Sequence, residues 1–235
     1  MNLAKRFALV SVVVLAQCSY TVTNRVMHGG ALLDTPLDHL IPLWPIWTVP
    51  YLLTLAVWVS FDLWALFKME DRLFKAYIIA SLVTIVPSML IFIFWPTYVV
   101  RPQITGRDWA SNLLRFLYAN DQPNNAFPSG HMYFAVLVAY FGTRWKPRLL
   151  VPMIAMVIMV IGATLFTKQH YVLDLVGGAG IGTFVGITWS STDPNKYKDS
   201  YRMNRIFRIG PASRKPRNKL LYKRKKPPKG VEPLT

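Results

Sequence analysis

Three short polar stretches interrupt an otherwise apolar sequence: Arg101-Pro102, Pro128-Ser129-Gly130-His131 and His170-Tyr171-Val172-Leu173-Asp174. The first supplies a guanidinium, whose planar fork of donors suits phosphate oxygens. The second sets a hydroxyl, a glycine and an imidazole at the expected start of a helix. Backbone N–H groups bind anions there, and Gly130 lets an anion come close. In the third, His170 and Asp174 share a helix face if a helix begins near them. Asp174 can then accept from the imidazole, fix its tautomer and raise the basicity of its other nitrogen. Such an imidazole serves as nucleophile or base. Singly, each stretch has a structural reading: a turn anchor, a helix opener, a packed pair. Gathered on one face, they are the parts of a site that binds a phosphate and transfers it.

The elements between them decide whether they can gather. Of 235 residues, 53% are hydrophobic and 16% charged, against about 25% charged in a soluble domain. Lipid is therefore the expected solvent. Six apolar runs approach bilayer length: Arg6 to Val22, Trp44 to Phe67, Tyr77 to Trp95, Pro128 to Trp145, Leu149 to Phe166 and Val172 to Trp189. The expected fold is an all-α integral membrane bundle of six transmembrane helices. Residues 1–190 form the membrane domain and 191–235 a basic, disordered cytoplasmic tail. Cys18 lies inside the first run, read as an uncleaved span. Pro87 should kink the third run or be absorbed by packing. Asp62, near the Lys68 end of the second run, should reach the interface. In the long loop 96–127, Asp108 to Tyr118 has the pattern of a short amphipathic helix. Gly178, Gly182 and Gly186 give the sixth run a face on which another helix can lie closely.

Six spans return both termini to one side. That side collects Lys5, Arg6, Lys68, Arg72, Lys75, Arg144, Lys146, Arg148 and the tail, which holds fourteen Lys and Arg from Lys196 onward. The basic excess makes it cytoplasmic. All three polar stretches then fall on the opposite, extracytoplasmic face of a cell (inner) membrane. Beside a membrane domain, the tail's partners are anionic lipid headgroups. Nothing in the chain has the form of a base-reading motif, so nucleic acid is not an expected partner.

Arg-Pro, Pro-Ser-Gly-His and His-x3-Asp, in that order among six spans, resemble the type 2 phosphatidic acid phosphatase (PAP2) superfamily, with its chloroperoxidase-like helical bundle. The resemblance implies a metal-independent, cofactor-free lipid phosphatase or phosphotransferase acting on a phospholipid or polyprenyl phosphate. In it His170 attacks phosphorus and becomes phosphohistidine, Asp174 orients it, and His131 protonates the leaving oxygen. Arg101, Ser129 and Gly130 hold phosphate oxygens. Two positions depart from the pattern: Phe94 stands where a Lys is usual, and Ala163-Thr164 where Ser-Arg is. Lys168, with Arg107, is the candidate replacement at the phosphate. The run from Thr164 to Asp174 looks like the inositolphosphotransferase branch, related to inositol phosphorylceramide synthases, which passes a phosphoryl headgroup to a lipid alcohol. A non-catalytic anion-binding membrane protein is the reading from a different class.

Overall fold

The computed structural model describes residues 1–191. Eight α-helices carry these residues: α1 (Leu3–Val26), α2 (Pro36–Leu40), α3 (Thr48–Lys68), α4 (Asp71–Phe94), α5 (Trp109–Asn120), α6 (Gly130–Trp145), α7 (Leu150–Phe166) and α8 (Val172–Ser191). Among the described residues five stretches are long and apolar enough to cross a membrane: Leu3–Val26, Pro45–Lys68, Asp71–Phe94, Pro147–Phe166 and Val172–Trp189. The chain is thus a multi-pass membrane protein with an all-α bundle. The remaining expected span differs. Its run opens at Pro128, but Ser129 caps the helix through its hydroxyl, which accepts from Met132 N–H at 3.3 Å. α6 therefore has 16 residues, or roughly 24 Å of rise. The basic tail expected beyond α8 lies outside the described residues.

α6 is the centre of the bundle. It packs on α8, α7 and α4, while α1 leans on α4 and α3. Ala135, Leu137, Val138 and Phe141 of α6 are fully buried, joined by Phe74, Ala80 and Val160. The glycine face of α8 sets the closest approach. A Cβ at Gly178 would lie 2.4 Å from the carbonyl oxygen of Ser129, and one at Gly182 3.0 Å from Val136 Cβ. Gly178→Ala must push α8 off the start of α6. We expect a loss of about 1–3 kcal/mol, seen as a lower Tm in detergent, with Gly180→Ala (open space around its Cα) as the silent control.

Local chemistry settles several other expectations. α4 runs through Pro87, and Ser81, Thr84 and Ser88 turn their hydroxyls back onto carbonyls four residues earlier. Half-buried Asp62 meets a partner on α4: the Tyr77 hydroxyl donates to it at 2.5 Å. Arg6 is buried and caps the end of α3 through the carbonyls of Ala65 and Leu66, with Asp71 at 2.6 Å. The amphipathic helix expected in the long loop is α5. It opens on Asp108, whose carboxylate accepts from the N–H groups of Ala110 and Ser111. The segment 27–43 is more ordered than a plain loop. Ala31–Leu32 (β1) pairs in parallel with Thr97–Tyr98 (β2), and Thr35 and Asp38 form a capping box on α2.

Candidate active site

The end of the bundle that carries the C-termini of α1, α4 and α7 and the N-termini of α3, α6 and α8 gathers Arg101, Ser129, Gly130, His131, Lys168, His170 and Asp174. His131 sits in the first turn of α6, placed by the Ser129 cap. His170 and Asp174 flank the start of α8. The two helix starts are locked together, because Ser129 N–H donates to the Asp174 carbonyl at 2.9 Å. His131 Nδ1 lies 3.2 Å from His170 Nε2. His170 Nδ1 lies 3.5 Å from Asp174 Oδ2, an ion-pair distance longer than a hydrogen bond. Asp174 is fully buried, and the same oxygen accepts from Tyr171 N–H at 2.8 Å. A proton on Nδ1, the nitrogen that faces Asp174, would leave the Nε2 lone pair facing His131.

Arg101 reaches the same place from the loop after β2. It donates to the Asp121 carbonyl at 2.5 Å and to the side-chain oxygen of Gln169, so its guanidinium is tied to the residue next to His170. Its carbon lies 4.4 Å from the centre of the Tyr118 ring, a cation–π contact. Burial draws Arg101 down from its ordinary value, opposed by the nearby Asp121 charge. Burial also pushes the Tyr118 phenol up to about 12. It stays protonated and donates to the Thr167 carbonyl at 2.7 Å.

Gly130 needs no unusual backbone, and a Cβ there would meet the Tyr133 ring at 3.4 Å or more. Its bareness therefore relieves no clash. Lys168 is placed differently from its expected position at a phosphate. Its backbone is left-handed, with φ of 53°. Its ammonium donates to the carbonyls of Asp38 at 2.8 Å and Ile41 at 2.6 Å. Asp38 in turn accepts from Val172 N–H at 2.8 Å. Lys168 and Asp38 thus clasp the α2 segment to the strip that carries His170. The Thr164 hydroxyl points back into its own helix, onto the Val160 and Ile161 carbonyls.

The sequence did not mark several neighbours. Tyr51 of α3 packs against His131 with its ring tilted by 40° and 4.6 Å between ring centres, and Trp58 lies at 5.4 Å. The Tyr20 and Tyr51 hydroxyls donate to the two carboxylate oxygens of Asp121, at 3.2 and 3.3 Å. Gln169 links Arg101 to His170. Lone phenols inside bilayer-length apolar runs and an acid in a long loop were the available signals. Among the described residues no group of three or more His, Cys, Asp or Glu could hold a metal ion.

Burial pushes the Asp121 carboxyl up, with Arg101 and His170 opposing it. A carboxyl raised on folding adds stability at acid pH, below its unfolded value, and loses it as pH rises through the folded value. Asp121→Asn should therefore melt higher than the parent above that value. The gap should close on acidification, which Tm measured against pH will show.

A family model described as the PAP2 superfamily matches residues 76–198, just over half of the chain and including Arg101, His131, His170 and Asp174. No match emerges among curated proteins or among solved structures.

Proposed function

The chain belongs to the PAP2 superfamily, and from that premise we propose that it is a membrane lipid phosphatase or phosphotransferase working through a phosphohistidine on His170. The observation that carries this reading is the 3.2 Å approach of His131 to His170, with Asp174 behind the second ring. The Nε2 lone pair forms the N–P bond while the bond from phosphorus to the leaving oxygen breaks. His131 gives that oxygen its proton. In the second step water, or an alcohol, loses its proton to His131 and attacks phosphorus, and the N–P bond breaks. Arg101, Ser129 and Gly130 hold the remaining phosphate oxygens. Lys168, with its ammonium on two carbonyls, serves instead by holding the His170 strip in place. No step calls for a metal ion.

In this reading α6 is the fourth of six spans in chain order, enclosed by its neighbours and so freed from matching the full lipid thickness. The termini are cytoplasmic by the excess of basic residues on their side. The site then opens on the extracytoplasmic face of the cell membrane, and the basic tail meets anionic headgroups. The substrate is a phospholipid or polyprenyl phosphate. Transfer of a phosphoryl-linked headgroup to a lipid alcohol, as in the inositolphosphotransferase branch, uses the same two steps with a different acceptor.

The test is a panel of lipid phosphates and phosphodiesters given to purified full-length protein in chelator, with and without diacylglycerol or ceramide, read by thin-layer chromatography and phosphate release. Turnover without metal is expected. A new phospholipid product would assign headgroup transfer, and free phosphate alone would assign hydrolysis. Anion binding without any turnover would reject the enzyme reading in favour of an anion-binding membrane protein.

A further inference from the structure

The charges around the imidazole pair are unusual for a site that must hold a phosphate. Arg101 is tied to the His170 strip, but Lys168 faces the α2 carbonyls, and Arg115 is taken up by Asn112, Ile104 and Gly106. Against Arg101 stands Asp121. Tyr51 bridges it to the site, its hydroxyl on the Asp121 carboxylate and its ring on His131. A carboxylate offers about four lone-pair positions, and the two phenols occupy two.

Gln169 adds a neutral donor. The residue is 5% exposed. Its oxygen accepts from Arg101, and because a guanidinium can only donate, the amide orientation is fixed. That leaves Gln169 Nε2 buried without a partner, and the same holds for Arg101 Nε on the other side of the contact. Two unmatched donors on one bonded pair, next to the nucleophile, call for acceptor oxygens from a ligand.

We propose that Asp121 and Gln169 together set the charge of the phosphate this site accepts. Gln169 donates to a phosphate oxygen without adding positive charge, and Asp121 stands as a fixed negative charge in the wall. The site therefore takes a phosphodiester, with one negative charge, over a monoester, which carries about 1.5 to 2. Repulsion from Asp121 grows with each added charge on the ligand and offsets the attraction of Arg101, which grows likewise, so the pair leaves little net positive charge to reward a second ligand charge, whereas the neutral Gln169 amide serves both forms alike. The inference rests on the phosphoryl-transfer reading above and adds its charge specificity.

The test uses full-length protein in detergent at mildly alkaline pH with p-nitrophenyl phosphate and methyl p-nitrophenyl phosphate, which share a leaving group and differ by one charge. Asp121→Asn should raise the ratio of kcat/KM for the dianion over the monoanion by about tenfold or more relative to the parent. Gln169→Leu should lower both values by a common factor of about ten. An unchanged ratio in Asp121→Asn, or a loss in Gln169→Leu confined to one ester, overturns the proposal. If the parent turns over neither ester, the phosphoryl-transfer reading fails for these substrates, and binding decides the charge question separately. In a His170→Ala background, methyl phosphate should raise Tm when Asp121→Asn is added and not before, while dimethyl phosphate raises both. Equal shifts by methyl phosphate, or no shift with either ion, overturn it.

Discussion

His170→Ala is expected to remove at least about a thousandfold of kcat, because the change deletes the atom that bonds to phosphorus rather than one that assists it. Removing a nucleophile strips the whole two-step path, and what remains is binding and electrostatic help to direct attack by water. The side chain is buried beside His131 and Asp174, so a folding control is needed. Unchanged elution from a sizing column in detergent and a Tm close to the parent's would provide it. A second readout bears on the intermediate itself. Brief exposure to a phosphorus-labelled substrate followed by alkaline quench should leave acid-labile label on the parent and none on the variant. Activity within about tenfold of the parent would rule out His170 as the nucleophile.

Asp174→Asn is expected to cost about a thousand- to ten-thousandfold in kcat with little change in stability. The magnitude follows from what a buried carboxylate does behind a catalytic imidazole: it selects the tautomer and stabilises positive charge on the ring. The substituted side chain can still accept from Tyr171 N–H with its amide oxygen, so the bond that shapes the start of α8 survives. Because one Asp174 oxygen faces both Tyr171 N–H and His170 Nδ1, an amide that keeps the Tyr171 bond sets a neutral oxygen behind the imidazole in place of the negative charge, and one that turns its NH2 toward Nδ1 gives that bond up. KM should change far less than kcat. A rise in KM with kcat preserved would mean that Asp174 shapes the pocket and does not act through the imidazole.

The catalytic candidates were legible because charge is rare in this chain and each polar stretch stands alone between apolar runs. Counting spans was enough to bring Arg101, His131 and His170 to one end. The position of Lys168 was not legible. Its separation of two residues from His170 suggests a shared target, but the left-handed backbone at Lys168 reverses its side chain toward Asp38, and sequence spacing does not carry that turn. The length of α6 is hidden for a related reason. Pro128 reads as a helix opener, yet the Ser129 hydroxyl caps the helix and starts it at Gly130. Tyr20, Tyr51 and Asp121 escape notice because they come from three distant segments. Their meaning arises where the phenols and the carboxylate meet, which no local pattern records.

The clasp formed by Lys168, Asp38 and Val172 has a consequence for anyone who would borrow this chemistry. The motif residues all lie downstream of residue 76, but the parts that aim them come from upstream: Asp38 grips the strip beside His170, and Tyr51 braces the second ring. The motif-bearing half is therefore no transplantable cassette. A chimaera grafting it onto another membrane anchor would inherit every reactive group and lose the jig that holds them in register.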